Sequence, residues 1–258
     1  MPYLRKVIRH GIIIEDNKYT NGRYGRAKKN NPAQGETPPE QKKWQTKEAI
    51  RKVWRMIDDN FQPGDLWVMF SLPRNARPNS EQVREIMETF LKKIRKLYRK
   101  AGQELKYIFS AGRGKQGAIH FHMVMSKFDM EEIKNVWEDI VNNGEWVKTD
   151  FQPLSRHRDY YRLASYIIKN GEETFLSDDP IYKKRYCASR NVKQKKTRAT
   201  VVKAKEWKKE PVERPGYYID KERSYSGFNA YGYPVQYTVY VKLEGGRKDG
   251  PNKKEASG

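Results

Sequence analysis

Cysteine and long apolar runs are nearly absent from this chain of 258 residues. Its one cysteine, Cys187, excludes an internal disulfide framework and suits a reducing compartment. No stretch approaches the ~20 consecutive apolar residues that a membrane-spanning helix needs, and no secretory signal pattern opens the chain. These absences predict a soluble, intracellular protein without a membrane partner.

Nucleotide-hydrolysing motifs are also missing. The glycine-rich stretch from Gly112 to Gly117 lacks the spacing of a P-loop, and it joins two predicted strands instead of opening a helix. No other NTPase motif is present, so any motor that unwinds a duplex must come from another protein.

Acidic residues are too few to balance the basic ones. The chain has 53 Lys and Arg against 32 Asp and Glu, which gives a net charge of +21. Residues 1–55 carry a net of +9 and residues 183–209 a net of +11, whereas residues 56–182 sum to zero. A neutral body with two basic flanks predicts a polyanionic partner that the flanks grip. The alternative is that the basic tails only keep the protein soluble.

Hydrophobic periodicity predicts an α+β core in the order strand, helix, strand, strand, helix, strand, helix. The predicted elements are a helix at 46–60, a strand at 66–72, a helix capped by Asn79 and Gln82 and closed by Gly102, strands at 107–109 and 118–125, a helix capped by Asp129 and Glu132 and stopped by Gly144, a strand at 146–151, and a helix at 158–170 stopped by Gly171. We also predict a mobile arm at residues 21–39, a strand at residues 235–241 and a frayed tail at residues 246–258.

Two of the four histidines stand one residue apart, at His120 and His122. They lie in the alternating run 118–125, and residues i and i+2 of a strand point to the same face. Both imidazoles should therefore project together while Ile119, Phe121 and Met123 face the core. Two neutral imidazoles side by side form half of a divalent-metal site. The alternative is a pair of polar residues on a solvated edge strand.

Tyr166 lies on a charged stripe of the last predicted helix, opposite the stripe of Tyr161, Ala164 and Ile168. A tyrosine among charges is poorly explained by packing, although an ordinary half-exposed tyrosine is the simpler alternative. Its phenol could act as a nucleophile toward phosphorus if a nearby cation stabilises the oxyanion. Lys169 lies three residues further along on the same helical face, so its ammonium could be that cation. The alternative is that Lys169 is a solvated side chain near the helix end, where cations are favoured.

The His-hydrophobic-His strand, followed by the helical sequence Tyr166-Ile167-Ile168-Lys169, resembles the HUH endonuclease superfamily. Within it the chain is most similar to rolling-circle replication initiators of small bacterial plasmids and single-stranded DNA phages, and the order of elements across residues 65–170 agrees. The resemblance implies an antiparallel sheet of about five strands with a central histidine strand and helices on one face. The opposite face would turn both histidines toward the Tyr166 helix.

The resemblance also implies a mechanism. His120 and His122 would hold Mg²⁺ or Mn²⁺, and Tyr166 would attack the scissile phosphate with help from Lys169. The products would be a 5′-phosphotyrosyl link and a free 3′-OH that primes synthesis, so that a nickase of the bacterial cytoplasm starts rolling-circle replication with a separate host helicase and polymerase. A relaxase-like or transposase-like enzyme and a non-catalytic single-strand or hairpin DNA-binding protein are the alternatives.

Two departures from the family pattern stand out. A third metal ligand, often Glu or Gln, is expected near residue 112, where the chain has glycine. His157 or Asp150 could serve instead, or water could fill the position, or metal binding could be weakened. Relatives with two nucleophiles place them four residues apart on this helix, but position 162 is Arg, which fits the single-tyrosine pattern.

The second basic flank interleaves cations with Tyr182, Tyr186 and Trp207, a pattern that favours stacking on unpaired bases over a disordered tail. We therefore predict three segments: a basic arm and helix at 1–61, a catalytic domain at 62–176, and a DNA-binding extension at 177–258. The predicted DNA-binding residues are Arg113, Lys115, Arg162, Lys183, Lys184, Arg185, Arg190, Lys193, Lys195, Lys196 and Arg198.

Overall fold

The computed structural model describes residues 2–20, 39–73, 76, 78–114, 117–141, 147–155, 159–204, 206–229 and 232–243. The chain divides into two compact units, residues 33–195 and residues 1–32 with 196–258, and each contains one five-stranded antiparallel sheet. The elements in chain order are β1 (Tyr3–His10), β2 (Ile13–Tyr19), α1 (Pro39–Asn60), β3 (Leu66–Ser71), α2 (Ser80–Lys100), β4 (Tyr107–Arg113), β5 (Ile119–Met125), α3 (Met130–Val141), β6 (Thr149–Pro153), α4 (Tyr161–Phe175), β7 (Cys187–Ala188), β8 (Thr200–Val202), β9 (Tyr217–Phe228) and β10 (Pro234–Lys242).

The sheet of the 33–195 unit has the strand order β6-β3-β5-β4-β7. The histidine strand β5 is therefore central, as predicted, and it forms an antiparallel hairpin with β4. Along β5 the residues alternate between two faces, because successive side chains of a strand point in opposite directions. The α+β fold with a central histidine strand is confirmed.

One face of this sheet packs against α2 and α3. Phe121 and Phe70 of the sheet contact Phe90 of α2 and Trp137 of α3, with ring centroids 4.9–5.8 Å apart for the pairs that touch. All four side chains are buried. Burial of a large apolar side chain is worth about 1.5–3 kcal/mol, so this aromatic cluster anchors the sheet to its helices.

The opposite face, which carries both histidines, is covered by α4. The Thr174 hydroxyl donates to the Ala111 carbonyl over 2.8 Å, and this bond holds α4 against β4. α1 packs against α4 in turn, with Trp54 edge-on to Tyr161 at 5.1 Å between ring centroids. The predicted side of the sheet for the Tyr166 helix is confirmed.

Helix ends follow the predicted signals in three cases and not in a fourth. α2 ends at Lys100, just before Gly102, whose φ of 68° is in the left-handed region. The capping box of Asn79 and Gln82 at the start of α2 is present, and the Asp129 carboxylate accepts from the Glu132 N–H at the start of α3. Gly171, however, does not stop α4, which continues to Phe175. A Cβ on Gly171 would lie 2.2 Å from the Arg185 carbonyl oxygen, so this glycine serves close packing inside the helix.

The strand predicted at 146–151 begins later, at Thr149, and ends at Pro153. The helix stop at Gly144, the mobile arm up to residue 38 and the frayed tail lie outside the described residues. α1 begins at Pro39, seven residues before the predicted start of this helix.

The second unit contains a hairpin that the sequence analysis missed. β1 and β2 pair antiparallel around Gly11, whose φ of 48° is in the left-handed region. Their sheet has the order β8-β1-β2-β10-β9 and includes β10, the predicted strand at 235–241.

Charged residues are buried in this sheet. Asp16 accepts two hydrogen bonds from Arg5, of 2.9 and 2.6 Å, and it lies 3.2 Å from Arg214. Lys18 donates to the Gln236 amide oxygen over 2.8 Å. Because the Asp16 carboxylate is paired with arginines and the Lys18 ammonium is hydrogen-bonded, the strands tolerate charges where an alternating pattern would have apolar residues.

The structure groups the chain differently from the three predicted segments. The predicted boundaries near 61 and 176 fall inside the 33–195 unit, and the first and last described strands, β1 and β10, belong to one sheet. β2 pairs with β10 in the register Ile13 to Val241. Pairing between such remote residues leaves no local pattern, which is why the sequence predicted separate extensions.

Candidate active site

The two histidines of β5 project together on the face that α4 covers. Their rings lie 5.0 Å apart between centroids at an interplanar angle of 81°. His120 is half-buried, and its Nε2 lies 2.8 Å from Oδ1 of Asn170. His122 is only 1% exposed. The shared face that the sequence predicted is confirmed, whereas the metal-binding role stays a prediction.

His122 lies between two aromatic rings. Trp67 of β3 stacks on it at 6.2 Å between centroids and 23°, and Tyr166 of α4 meets it edge-on at 4.7 Å and 89°. Neither ring nitrogen of His122 has a hydrogen-bond partner among the described residues. Burial, and secondarily the neighbouring His120, lowers the pKa of His122 to about 4. The ring is therefore neutral at pH 7 and keeps a free lone pair.

Tyr166 combines exposure with this contact. It is 48% exposed, although its ring also touches Trp67 at 5.8 Å between centroids. A phenol that reaches solvent beside two imidazoles can approach a large substrate, which a buried tyrosine cannot. By contrast Tyr160 is buried and Tyr161 is half-buried, so the division of the three tyrosines between core and surface is as predicted.

Lys169 and Arg162 are both exposed on α4. Lys169 lies one turn beyond Tyr166, and no hydrogen bond or ion pair engages it within the described part of the chain. Its ammonium is therefore available to a negatively charged partner. Among the described residues, it makes no hydrogen bond to the Tyr166 hydroxyl.

The expected position of a third ligand is occupied by Gly112, directly opposite His120 in the β4–β5 register. A Cβ built on Gly112 would lie 2.5 Å from both Oδ1 and Nδ2 of Asn170. The Asn170 amide thus fills the space that a side chain at position 112 would need. Sequence reasoning missed this residue, although its position four residues after Tyr166 puts it on the same helical face.

Other donors around the histidines are sparse. The Ser110 hydroxyl, opposite His122 in the register, is buried without a hydrogen-bond partner among the described residues. Asp150 shares the face but is separated from His122 by Met69 of β3, so two strand spacings, or about 10 Å, lie between their backbones. The described residues contain no cluster of three His, Cys, Asp or Glu side chains that could hold a metal, and His157 lies outside them.

Residues 68–174 match the family model described as replication-associated protein ORF2/G2P. The chain is similar to this family over that segment, which spans less than half of its length. The ORF2/G2P segment runs from β3 into α4 and contains His120, His122, Tyr166 and Asn170, and therefore all the site residues described above except Trp67. No curated protein and no solved structure matches the chain. Within the described residues, no helix is long and apolar enough to cross a membrane.

The predicted DNA-binding residues that follow the ORF2/G2P segment differ in availability. Arg185 forms an ion pair with Glu172 at 3.2 Å and lies over the Phe175 ring at 4.6 Å, so its charge is already partnered. Lys195 forms an ion pair with Asp59. Exposed side chains are those of Lys183, Lys184, Arg190, Lys193, Lys195, Lys196 and Arg198.

Arg113, inside the ORF2/G2P segment, is half-buried, lies 3.7 Å from the Asp179 carboxylate and donates to the Ser80 hydroxyl over 3.2 Å. Lys115 lies outside the described residues. Neither observation assigns a nucleic-acid contact to these two positions, which remain predictions.

Two of the three aromatic residues predicted to stack on bases are engaged within the protein. Tyr182 packs edge-on against Phe109 at 5.4 Å between centroids, and burial raises the pKa of its phenol above the usual range. Trp207 packs against Tyr3 at 5.0 Å. Both side chains are half-buried, and each ring has a partner within its own unit. Their stacking on unpaired bases stays a prediction.

Proposed function

We propose that this protein nicks and rejoins single-stranded DNA at a replication origin, and so initiates rolling-circle replication. The observation that carries the proposal is the contact between the exposed Tyr166 and the buried, neutral His122, on a central strand shared with His120. A family of replication-associated proteins matches the same segment, which supports DNA as the substrate.

In the proposed step the Tyr166 oxygen attacks the phosphorus of the scissile phosphodiester. A Tyr–O–P bond forms as the P–O3′ bond breaks, the phenol gives up its proton, and the departing 3′ oxygen takes one up. The 5′-phosphotyrosyl link keeps the energy of the phosphodiester, so the reverse attack by a 3′-OH rejoins the strand without ATP. The free 3′-OH is the primer for a polymerase supplied by the host, and a separate helicase would open the duplex.

The residues present fit a divalent cation in one respect. Both nitrogens of His122 are buried without a hydrogen-bond partner among the described residues, and such an orphan is costly unless a ligand satisfies it. His120 and His122 would hold the ion, with the Asn170 amide oxygen as the nearest oxygen donor to His120. Bound there, Mg²⁺ or Mn²⁺ would polarise the scissile phosphate and stabilise its developing charge. Since Mg²⁺ prefers oxygen ligands and this set has two imidazoles, we expect Mn²⁺ to support more activity.

Lys169 is proposed to stabilise the phenolate of Tyr166. It is exposed one turn away and carries no competing bond in the described part of the chain. A positive charge near the phenol favours its ionised form and so increases the fraction that can attack.

The test is covalent capture. The purified protein is incubated with Mn²⁺ and an end-labelled single strand that carries the origin, and the products are separated on an SDS gel. We expect a labelled adduct from the parent and from Tyr161→Phe, which removes a hydroxyl from the same helix, but none from Tyr166→Phe. An adduct from Tyr166→Phe would overturn the assignment of the nucleophile.

A non-catalytic DNA-binding protein on the same fold is the second candidate. The missing carboxylate at Gly112 and the lack of a three-residue metal cluster among the described residues favour it. The same experiment separates the two, because a pure binder would retard the strand in a native gel, in a salt-sensitive manner, without an SDS-stable product.

A further inference from the structure

The second half of α2 has a concentration of positive charge that the neutral total of the body conceals. Residues 92–100 contain no acidic residue, and all of the cations among them are exposed. The acidic residues of this helix, Glu81, Glu85 and Glu88, lie in its first half. We call the basic group the α2 basic face; its members are Lys92, Lys93, Arg95, Lys96, Arg99 and Lys100.

Helical phase collects these cations on one side. At 100° per residue they spread over an arc of about 160°, opposite the buried Leu91, Ile94 and Tyr98. Lys92, Lys96 and Arg99 follow one another at spacings of four and three and so form a single ridge. The ridge and its neighbours extend about 12 Å along the helix axis.

The charges of this face are not neutralised within the protein. No carboxylate lies within ion-pair distance of any of the six in the described ranges. Arg95 donates to the Tyr107 hydroxyl over 2.7 Å, but that partner is neutral and leaves the charge in place.

The face continues into a cleft of about 910 Å³ at the C-terminal end of α2. Arg95 and Arg99 line it from the helix, and Arg190 lines it from the segment after β7. Arg190 is one of the residues that the sequence predicted to bind DNA, and the structure places it across a cleft from two further arginines.

An ordinary solvated helix end does not account for this arrangement. Arg99 and Lys100 in the last turn complement the helix dipole, but the remaining four cations do not. Like charges four residues apart, such as Lys92 with Lys96 and Arg95 with Arg99, repel and destabilise the helix. A polyanion that bound along the ridge would remove this repulsion.

We infer that the α2 basic face binds the phosphate backbone of double-stranded DNA. Sites for single strands combine cations with aromatic rings on which bases stack. Here the nearest rings, Tyr98 and Tyr107, are buried, so the face offers charge without a stacking surface. Guanidinium and ammonium groups on a convex helix suit duplex phosphates, which lie on the outside of the double helix.

The location separates this surface from the candidate active site. α2 packs against the Phe121 face of the sheet, whereas Tyr166 and both histidines lie on the other face. A duplex on α2 is therefore not the segment that Tyr166 attacks. Resting on the proposed function, we assign it to the duplex that flanks the strand to be nicked.

The test is the salt dependence of duplex binding, measured by the fluorescence anisotropy of a labelled duplex. The variant carries Lys92→Gln, Lys96→Gln and Arg99→Gln. A matched control carries Lys127→Gln, Lys148→Gln and Lys221→Gln, which removes the same charge from three exposed, scattered positions. Each lost phosphate contact should reduce the slope of log affinity against log salt by about 0.9. We expect the α2 variant to lose about 2–3 from the slope and at least tenfold in affinity near 0.15 M salt, and the control to lose neither.

Two readouts keep the outcome clear. The melting temperature of the α2 variant should stay close to that of the parent, because the relief of repulsion offsets the lost dipole interaction of Arg99. Weak binding would then not reflect unfolding. Adduct formation on a saturating single strand should be unchanged in the α2 variant. An unchanged duplex slope, an equal loss in the control, or a loss confined to single strands would each overturn the inference. If the parent forms no adduct but the α2 variant still has a smaller salt slope for duplex binding, the proposed nicking function is refuted. The assignment of the α2 basic face to duplex DNA is then still supported.

Discussion

Replacement of Gly112 by alanine is the sharpest probe of the candidate site. The added Cβ would lie 2.5 Å from Oδ1 and Nδ2 of Asn170 and 2.7 Å from its Cγ, where real contacts of this kind are not found. The backbone of Gly112 needs no positive φ, so the methyl group is the only obstacle. Asn170 must therefore move, and its 2.8 Å contact with His120 must break.

The cost follows from these contacts. Insertion of a methyl group into a packed position costs about 1–3 kcal/mol, and a lost hydrogen bond costs about 1 kcal/mol. A net loss of about 2 kcal/mol lowers the melting temperature of a unit of this size by roughly 4–8 °C.

A double-mutant cycle with Asn170→Ala isolates the contact. Once the amide is removed, Gly112→Ala should no longer clash, and the smaller freedom of alanine in the unfolded chain should stabilise by about 0.4–1 kcal/mol. The same substitution thus changes sign between the two backgrounds. Chemical denaturation of the four proteins gives the coupling energy.

The metal readout runs in parallel. Because Asn170 is the nearest oxygen donor to His120, Asn170→Ala should weaken Mn²⁺ binding, measured by titration calorimetry, whereas Gly112→Glu with Asn170→Ala should restore it through a carboxylate on β4. Additive stability changes in the cycle, or Gly112→Ala as stable as the parent, would show that the amide does not fill the space beside Gly112.

Three further outcomes follow from the described contacts. Gly171→Ala should destabilise by about 3 kcal/mol or more in urea unfolding, and no trimming of a side chain should rescue it, because the blocking atom is the Arg185 carbonyl oxygen at 2.2 Å. Burial alone would raise the pKa of Asp16, but hydrogen bonds and charge from Arg5 hold it below its usual value. The stability this provides is complete above the ordinary pKa near 4 and is lost as the pH falls through the folded value, so the urea midpoints of the parent and Asp16→Asn should converge below about pH 4. Asn79→Ala should cost about 1 kcal/mol through loss of the capping box, without a change in DNA binding.

The order of the core and the site strand could be predicted because their signals are local. Period-two alternation around His120 and His122 specifies a face, and helical phase separates the exposed Tyr166 from its buried neighbours. The contact between Tyr166 and His122 then follows once α4 covers the face that carries the histidines.

Contacts set by tertiary register could not be predicted. Asn170 meets Gly112 only because α4 crosses β4 at one position, which the Thr174 bond to Ala111 and the close approach at Gly171 define. Neither residue type points to the other in the sequence. The β1–β2 hairpin was missed for a related reason, since Asp16 in β2 is paired with Arg214, about two hundred residues away in the chain.

Total charge over a stretch of sequence proved a poor guide to charged surfaces. Residues 56–182 sum to zero because the acids of α3 and of the first half of α2 offset the cations of the α2 basic face, although helical phase segregates these cations.

If the flanks make most phosphate contacts, replacement of Lys193, Lys195, Lys196 and Arg198 by glutamine should flatten the salt slope for single strands and duplexes alike. If the α2 basic face holds the duplex, the flank variant should keep most of the duplex slope and lose it only for single strands. A protein that carries both sets of substitutions tests whether the two contacts are independent. If the two losses in salt slope add, the flank and the helix bind separate phosphates. If the combined loss is no larger than either loss alone, the flank and the helix bind the same phosphates.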